Sequence, residues 1–217
     1  ILAEALYHKA DLVLVTSGLS FHEVGLWLLD RCKVPTSVVL TESPYQDAEQ
    51  KAWVGSYPDV AVFTQERTSA KQQGWHYLPA AYDPMIHMPV DADPMEECDV
   101  LFVGTGWKER QELFEAVDWT DIDLRLRGIF PDLAEDSKLR RCFVEGCVAN
   151  EALPRAYAAC KIALNPYRQD AQAESMNPRA YELAACGVFQ LSDARAELFE
   201  VFGSSVPTYK DAAELEQ

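Results

Sequence analysis

Short apolar runs alternate with stretches of helical spacing along the whole chain. ADLVLVTSG reads as a buried strand ending in a Ser-Gly turn. SFHEVGLWLLDRC then repeats its apolar positions on one helical face, with Ser20 as N-cap and Glu23 at the capping-box position. VPTSVVLTESP predicts a second strand, DAEQKAWVGSYP a helix closed by Gly and Pro, and DVAVFTQ a third strand. A helix follows from about Glu66 to Gln73, and WHYLPAAYDP reads as a short strand running into a proline-bearing segment. From Asp99 the alternation restarts. DVLFVGTG, IDLRLRGIF, CFVEGCV, KIALNPY and GVFQLSD have strand character, and WKERQELFEAV, EALPRAYAAC, NPRAYELAAC and ARAELFEVFG have helical character. Such alternation predicts an α/β fold of parallel sheets covered by helices. Four of the twelve prolines (Pro79, Pro84, Pro89, Pro94) cluster between the two series and mark a connector. The expected division is residues 1–95, including that connector, and 96–217. The first half reads as about two or three strands short of a full Rossmann-like unit.

The chain has 217 residues, room for one large or two small domains. It holds no run of eighteen apolar residues, so no membrane span is expected. ILAEALYHKADLVLV lacks the basic and apolar regions of a signal peptide. A first residue other than Met and helical character at both ends lead us to expect a fragment of a longer chain. The net charge of −16 disfavours nonspecific binding to phosphate backbones, while leaving room for a local basic site. The six cysteines (Cys32, Cys98, Cys142, Cys147, Cys160, Cys186) form no C-x-x-C pair and have no His at zinc spacing, and they read as reduced core thiols of a cytoplasmic protein.

In parallel α/β sheets, ligands bind beyond the carboxyl ends of the strands, so the residues following each strand carry the chemistry. In ESMNPRAYELAACG, Asn177 can cap a helix, Pro178 suits its first position and Gly187 its exit. The helix front offers free N–H groups and partial positive charge to an anion. Arg179 adds a full charge there, Glu182 one turn on could accept ribose hydroxyls, and Glu174 in the preceding loop could hold sugar hydroxyls. The same residues also fit a capped helix with surface glutamates. DVLFVGTGWKER ends a strand in Gly104-Thr105-Gly106 and opens a helix with Lys108 and Arg110, two cations that oppose the helix dipole unless an anion offsets them. A plain tight turn explains the glycines equally well, since neither the dinucleotide fingerprint nor the P-loop is complete. In ALNPYRQD, Asn165, Tyr167 and Arg168 leave a strand end. In the first half the strand-end residues are Ser17, Gly18, His22 and Glu42, with Asp83 in the connector; Glu42 is placed to act as a base or acceptor ligand. DADP and DID are the nearest approaches to a D-x-D metal motif, and they fall in the connector and at a strand start.

E-x7-E from Glu174 to Glu182, with an upstream FVG…R strand–turn–helix, resembles the nucleotide-sugar half of GT-B glycosyltransferases. DVLFVGTGWKERQELF, LPRAYAACKIALN and MNPRAYELAACGVFQLSD are together similar to the glycosyl transferases group 1 domain of the CgeB-like spore-maturation family, which is also common in phages. VPTSVVLTESPY, VFTQE and YLPAAYDPMIHMP resemble that family's N-terminal half more weakly. The resemblance implies two Rossmann-like domains facing a cleft, with the acceptor on the first half and the nucleotide sugar on the second. It implies a metal-independent transferase with a nucleotide-diphosphate sugar, UDP-sugar first, as co-substrate and no resident cofactor. It places Glu182 on the donor ribose, Arg110 on the diphosphate, Asn177 and Arg179 beside the phosphates, Glu174 against the transferred sugar and Gly104 where the loop approaches the ligand. Arg110, Glu174 and Glu42 become the catalytic candidates. Where many group 1 enzymes have E-G-x-G this chain has S-M-N-P, and Lys108 and Arg168 both compete to be the second phosphate cation. E-x7-E resembles retaining enzymes, although a carboxylate in the first half could support inversion. The acceptor stays open among a glycan, a protein, a metabolite and modified phage DNA. A degenerate GT-B binding or structural protein, or a sugar-nucleotide epimerase, are the alternatives.

Overall fold

The computed structural model describes residues 1–17, 21–55, 57, 59–144, 146–168 and 172–217, apart from the Glu23 side chain. The elements run α1 (Leu2–Tyr7), β1 (Val13–Thr16), α2 (Glu23–Arg31), β2 (Thr36–Leu40), α3 (Asp47–Val54), β3 (Val60–Thr64), α4 (Arg67–Gln73) and β4 (His76–Tyr77). They continue with β5 (Cys98–Val103), α5 (Lys108–Ala116), β6 (Leu124–Arg127), β7 (Phe143–Val144), α6 (Leu153–Ala158), β8 (Cys160–Asn165), α7 (Pro178–Ala185), β9 (Gln190–Asp193), α8 (Ala196–Phe202), β10 (Thr208–Tyr209) and α9 (Ala212–Leu215). The chain divides into two compact units, Ile1–Pro79 with Asp170–Ser175, and Ala80–Gln169 with Met176–Gln217.

In the first unit the described strands form a parallel sheet in the order β1-β2-β3-β4. β2 and β3 bury alternate residues. Val38 and Leu40 of β2 meet Val60 and Val62 of β3 in a core closed by Leu26 and Val54 from the helices. Gln50, fully buried on α3, donates to the Ser43 hydroxyl and accepts the Glu42 N–H. The expected cap Ser20 lies outside the described residues. α2 starts at Glu23 and is capped by His22, whose Nδ1 accepts the Val24 N–H at 3.2 Å.

The second unit is also wholly parallel among its described strands, in the order β10-β9-β8-β5-β6-β7. VLFV is a continuous apolar run because β5 is covered on both faces, as the inner strand of a parallel sheet must be. Val100 and Phe102 point into one core with Phe114, Trp119, Leu124, Leu126 and Leu139. Leu101 and Val103 point into another with Tyr157, Ala163 and Leu183. The run CFVEGCV contributes only two strand residues, β7. Asp93, of the DADP sequence, caps a short 3-10 turn by accepting the Met95 N–H, and Asp123, of DID, sits just before β6. The cysteines depart from a uniform core set. Cys98 and Cys186 are buried, Cys142 and Cys160 partly so, and Cys32 and Cys147 are exposed, all as free thiols. Burial pushes the Cys98 thiol up to about 11 and Cys160 up to about 12. Among the described residues no helix is long and apolar enough to cross a membrane.

Candidate functional site

Strand order locates the site. From β5 the chain steps outward through β6 to β7, then returns to the other side of β5 with β8. Loops leaving β5 and β8 at their carboxyl ends therefore diverge, and such a reversal opens a crevice where ligands bind.

The loop after β5 is Gly104-Thr105-Gly106. Its first glycine has φ +150, and its N–H donates to the Arg127 carbonyl at 2.8 Å. Gly128 at the end of β6 has φ +123, and a Cβ there would stand 2.2 Å from the Gly104 carbonyl oxygen. The loop thus lies flat on β6 only because both positions lack side chains. A Cβ on Gly104 would come within 3.0 and 3.2 Å of the two terminal nitrogens of Arg179. Gly104 is the floor of an arginine site.

Arg179 lies in the first turn of α7, half-buried, with its guanidinium 5.7 Å from the Phe102 ring centroid. Its Nε is buried and has no hydrogen-bond partner among the described residues. The fully buried Tyr157 lies close by. Burial pushes its hydroxyl above the ordinary value, the Arg179 charge opposes that shift, and Glu182 adds to it.

The tip of α7 is built as the sequence implied. Asn177 Oδ1 accepts the Ala180 N–H at 3.1 Å, Pro178 takes the first position, and Gly187 beyond the end has φ +72. Asn165 at the end of β8 is wholly buried and exchanges amide hydrogen bonds with Asn177, at 2.9 and 3.2 Å. It therefore orients the cap instead of meeting a ligand, the role its place in the sequence had suggested.

A buried polar set behind the β8 and α7 ends was missed in the sequence. Asp193 accepts the Tyr167 N–H at 2.8 Å, Glu197 accepts the Met176 N–H at 2.6 Å, and Arg195 donates to the Arg168 carbonyl at 2.9 Å while lying over the Tyr167 ring. Burial pushes the Asp193 carboxyl up, opposed by the Tyr167 N–H, Arg195 and Arg110. The signal was present in SDARAE, a polar run directly after a strand, and the strand-end rule would have found it.

The other expected donor residues divide. Arg110 is 8% exposed; its guanidinium donates to the Thr105 carbonyl at 2.7 Å and lies 5.4 Å from the Phe102 ring centroid, so it braces the glycine loop from beneath. Lys108 extends into solvent along its own helix, 3.7 Å from Glu112. Arg168 stacks over the Trp107 ring at 5.2 Å, beside the loop. Glu182 is mostly buried, and its Oε1 lies 3.9 Å from Nε2 of His87, a residue the sequence reading passed over.

Glu174 belongs to the first unit, whereas Glu182 belongs to the second. Its own side chain is exposed, 3.9 Å from Arg67. The backbone there is held by Glu66, a buried carboxylate that accepts the N–H groups of Thr68, Glu174 and Ser175, each at 3.1 Å. Glu66 too was missed. Its place directly before a helix, as Thr-Gln-Glu, gave a capping signal and nothing more. Of the expected acceptor-side residues, Glu42 follows β2 and is half-buried, Ser17 follows β1 with φ +65, and His22 caps α2. Gly18 lies outside the described residues. Asp83 belongs to the second unit, where its carboxylate accepts the Met85 N–H in a turn. Among the described residues no group of three or more His, Cys, Asp or Glu is placed to hold a metal ion.

Two successive Rossmann-like parallel sheets are the GT-B fold, and two solved structures share it. One is an alpha-glucosyltransferase in complex with UDP and a 13-mer DNA containing an HMU base (TM-score 0.61, 10% identity, 92% of this chain and 65% of that one). Another is an alpha-glucosyltransferase in complex with UDP-glucose and DNA containing an abasic site (TM-score 0.60, 11% identity, 91% of this chain and 66% of that one). This chain thus spans just under two thirds of either, and at these identities the likeness is one of fold. The glycosyl transferase-like family model matches residues 92–217, more than half of the chain, and the chain belongs to that family. No curated protein sequence matches it.

Proposed function

We propose that the chain is the core of a glycosyltransferase that moves a sugar from a nucleotide-diphosphate sugar to an acceptor hydroxyl. One observation carries the reading: a half-buried guanidinium at the switch point, in the first turn of α7 and seated on a glycine. A cation so placed at the positive pole of a helix suits a diphosphate. In transfer, the bond from the anomeric carbon to the phosphate oxygen breaks and its electron pair leaves with the diphosphate. The Arg179 guanidinium and the positive pole of α7 stabilise that developing charge, as donors in an oxyanion hole do. The acceptor oxygen bonds to the anomeric carbon from the same face and gives its proton to the departing phosphate oxygen, with Glu42 the candidate to hold the acceptor hydroxyl. Glu182 takes the ribose hydroxyls, Glu174 the transferred sugar, and Arg168 is the second phosphate cation. Gly104, Thr105 and Gly106 shape the wall, braced by Arg110.

The finer reading is a CgeB-like, metal-independent, retaining enzyme of a bacterial or phage-infected cytoplasm, using UDP-sugar, with the acceptor on the residue 1–95 side. The solved relatives hold DNA, so DNA containing an HMU base is an acceptor to test beside glycan, protein and metabolite hydroxyls. The net charge of −16 counts against it and sets the expectation of binding that salt does not weaken steeply. A thermal-shift panel of nucleotides and nucleotide sugars tests the donor site. A ligand at 100 times its Kd adds about 2.7 kcal/mol. Loss of that response in Glu182→Ala supports the reading, and an equal response refutes it. Product analysis with labelled nucleotide sugar then separates transfer from epimerisation and from a catalytically silent binder.

A further inference from the structure

The residues between Ala80 and Pro89, expected as a connector, group with the second unit, and His87 among them meets Glu182 of α7. Ala80 is buried, and Pro89 lies 3.8 Å from where a Cβ on Gly187 would be. Between them a turn closes at Asp83. Its carbonyl accepts the His87 N–H at 2.8 Å, and its own N–H donates to His87 Nδ1 at 3.2 Å. With Nδ1 accepting, the imidazole is the tautomer that carries its hydrogen on Nε2. That Nε2–H is buried, has no hydrogen-bond partner among the described residues, and faces Glu182 Oε1 at 3.9 Å, beyond hydrogen-bond length. The His87 side chain is 3% exposed and that of Glu182 16%. A ligand can therefore reach the carboxylate but not the imidazole.

We infer that His87 is a positioning residue for recognition of the donor's ribose. Its Nε2–H, turned toward Oε1 of Glu182 across 3.9 Å, attracts that oxygen and leaves the other to accept the sugar hydroxyls. This rests on the donor reading above. A mostly buried carboxylate needs a donor to fix its rotamer, and the turn at Asp83 supplies one from a segment outside the Rossmann-like sheet. The connector thereby makes ribose recognition depend on the conformation of the 80–89 segment.

The test is calorimetric. UDP, ADP, GDP and CDP, each paired with its 2′-deoxy counterpart, are titrated into the wild-type chain and into His87→Ala, His87→Gln and Glu182→Ala. The wild type should prefer the tightest-binding ribonucleotide over its deoxy form. His87→Ala should bind the ribonucleotide about tenfold more weakly, with the deoxy form little changed, so the preference collapses. His87→Gln, which returns an N–H donor near Nε2, should restore most of it, a rescue that a purely structural role does not explain. A preference lost in Glu182→Ala but intact in folded His87→Ala or absent from His87→Gln's rescue overturns the His87 inference alone. A wild type that binds none of the diphosphates, or a Glu182→Ala variant with full preference, overturns the donor reading and this inference with it.

Discussion

The two sheets carry similar polar residues at their strand ends and put them to different uses. In the first unit the strands add in one direction, β1 to β4, so successive crossovers follow each other without reversal among the described strands. Two of its buried polar residues complete local structure: Gln50 holds the turn after β2, and Glu66 collects the N–H groups of Thr68, Glu174 and Ser175. In the second unit the order reverses between β5 and β8, and the groups near that reversal include a guanidinium in the first turn of α7, seated on Gly104. A polar residue after a strand thus says little by itself. A reversal that splays two loops, and a cation set at a helix front beside it, say more.

That contrast can be sharpened by substitution. The largest effect should come from Gly128→Val, which forces a branched side chain into positive φ and against the Gly104 carbonyl; it should destabilise the second unit by roughly 4 kcal/mol or more, read by urea unfolding. A shift under about 1 kcal/mol would mean that the glycine loop does not lie on β6. Arg179→Ala should lower turnover by about 10²–10³ while leaving the thermal midpoint near that of the wild type. In the first unit the expected pattern is the opposite. Glu66→Ala strands three N–H groups and should remove about 2–3 kcal/mol of stability, with faster proteolysis around Gln172–Ser175. Asn177→Ala should remove about 2–3 kcal/mol, through the lost helix cap and the stranded Asn165 amide, and weaken nucleotide affinity modestly. Lys108→Ala, in an exposed pair with Glu112, should change neither melting nor nucleotide binding measurably; a clear loss of binding would make Lys108 the second phosphate cation in place of Arg168.

Much of the fold was legible because parallel sheets write their burial into runs such as DVLFV and TSVVL, and because Asn177, Pro178 and Gly187 mark both ends of α7. The helix tip of the candidate site was legible for the same reason. What escaped was set by long-range geometry. Arg110 looks like a first-turn cation in sequence, yet the rotation of α5 turns it under the loop to Thr105. Asn165 looks exposed at a strand end, yet it pairs with an amide twelve residues on. His87 sits in a proline-rich stretch with no periodicity to announce a partner, and Glu182 lies 95 positions away. The start of α2 shows a local failure of the same kind, since His22 rather than Ser20 caps the described helix.

The central claim is that the Arg179 guanidinium receives the diphosphate. It is tested most directly by NMR of the arginine Nε–H groups in 15N-labelled protein, with the Arg179 signal assigned by its absence in Arg179→Lys. Adding a saturating nucleoside diphosphate should shift the Arg179 Nε–H resonance strongly and leave that of Arg31, on α2 of the first unit, in place. A bound nucleotide that leaves the Arg179 resonance unmoved would contradict the account.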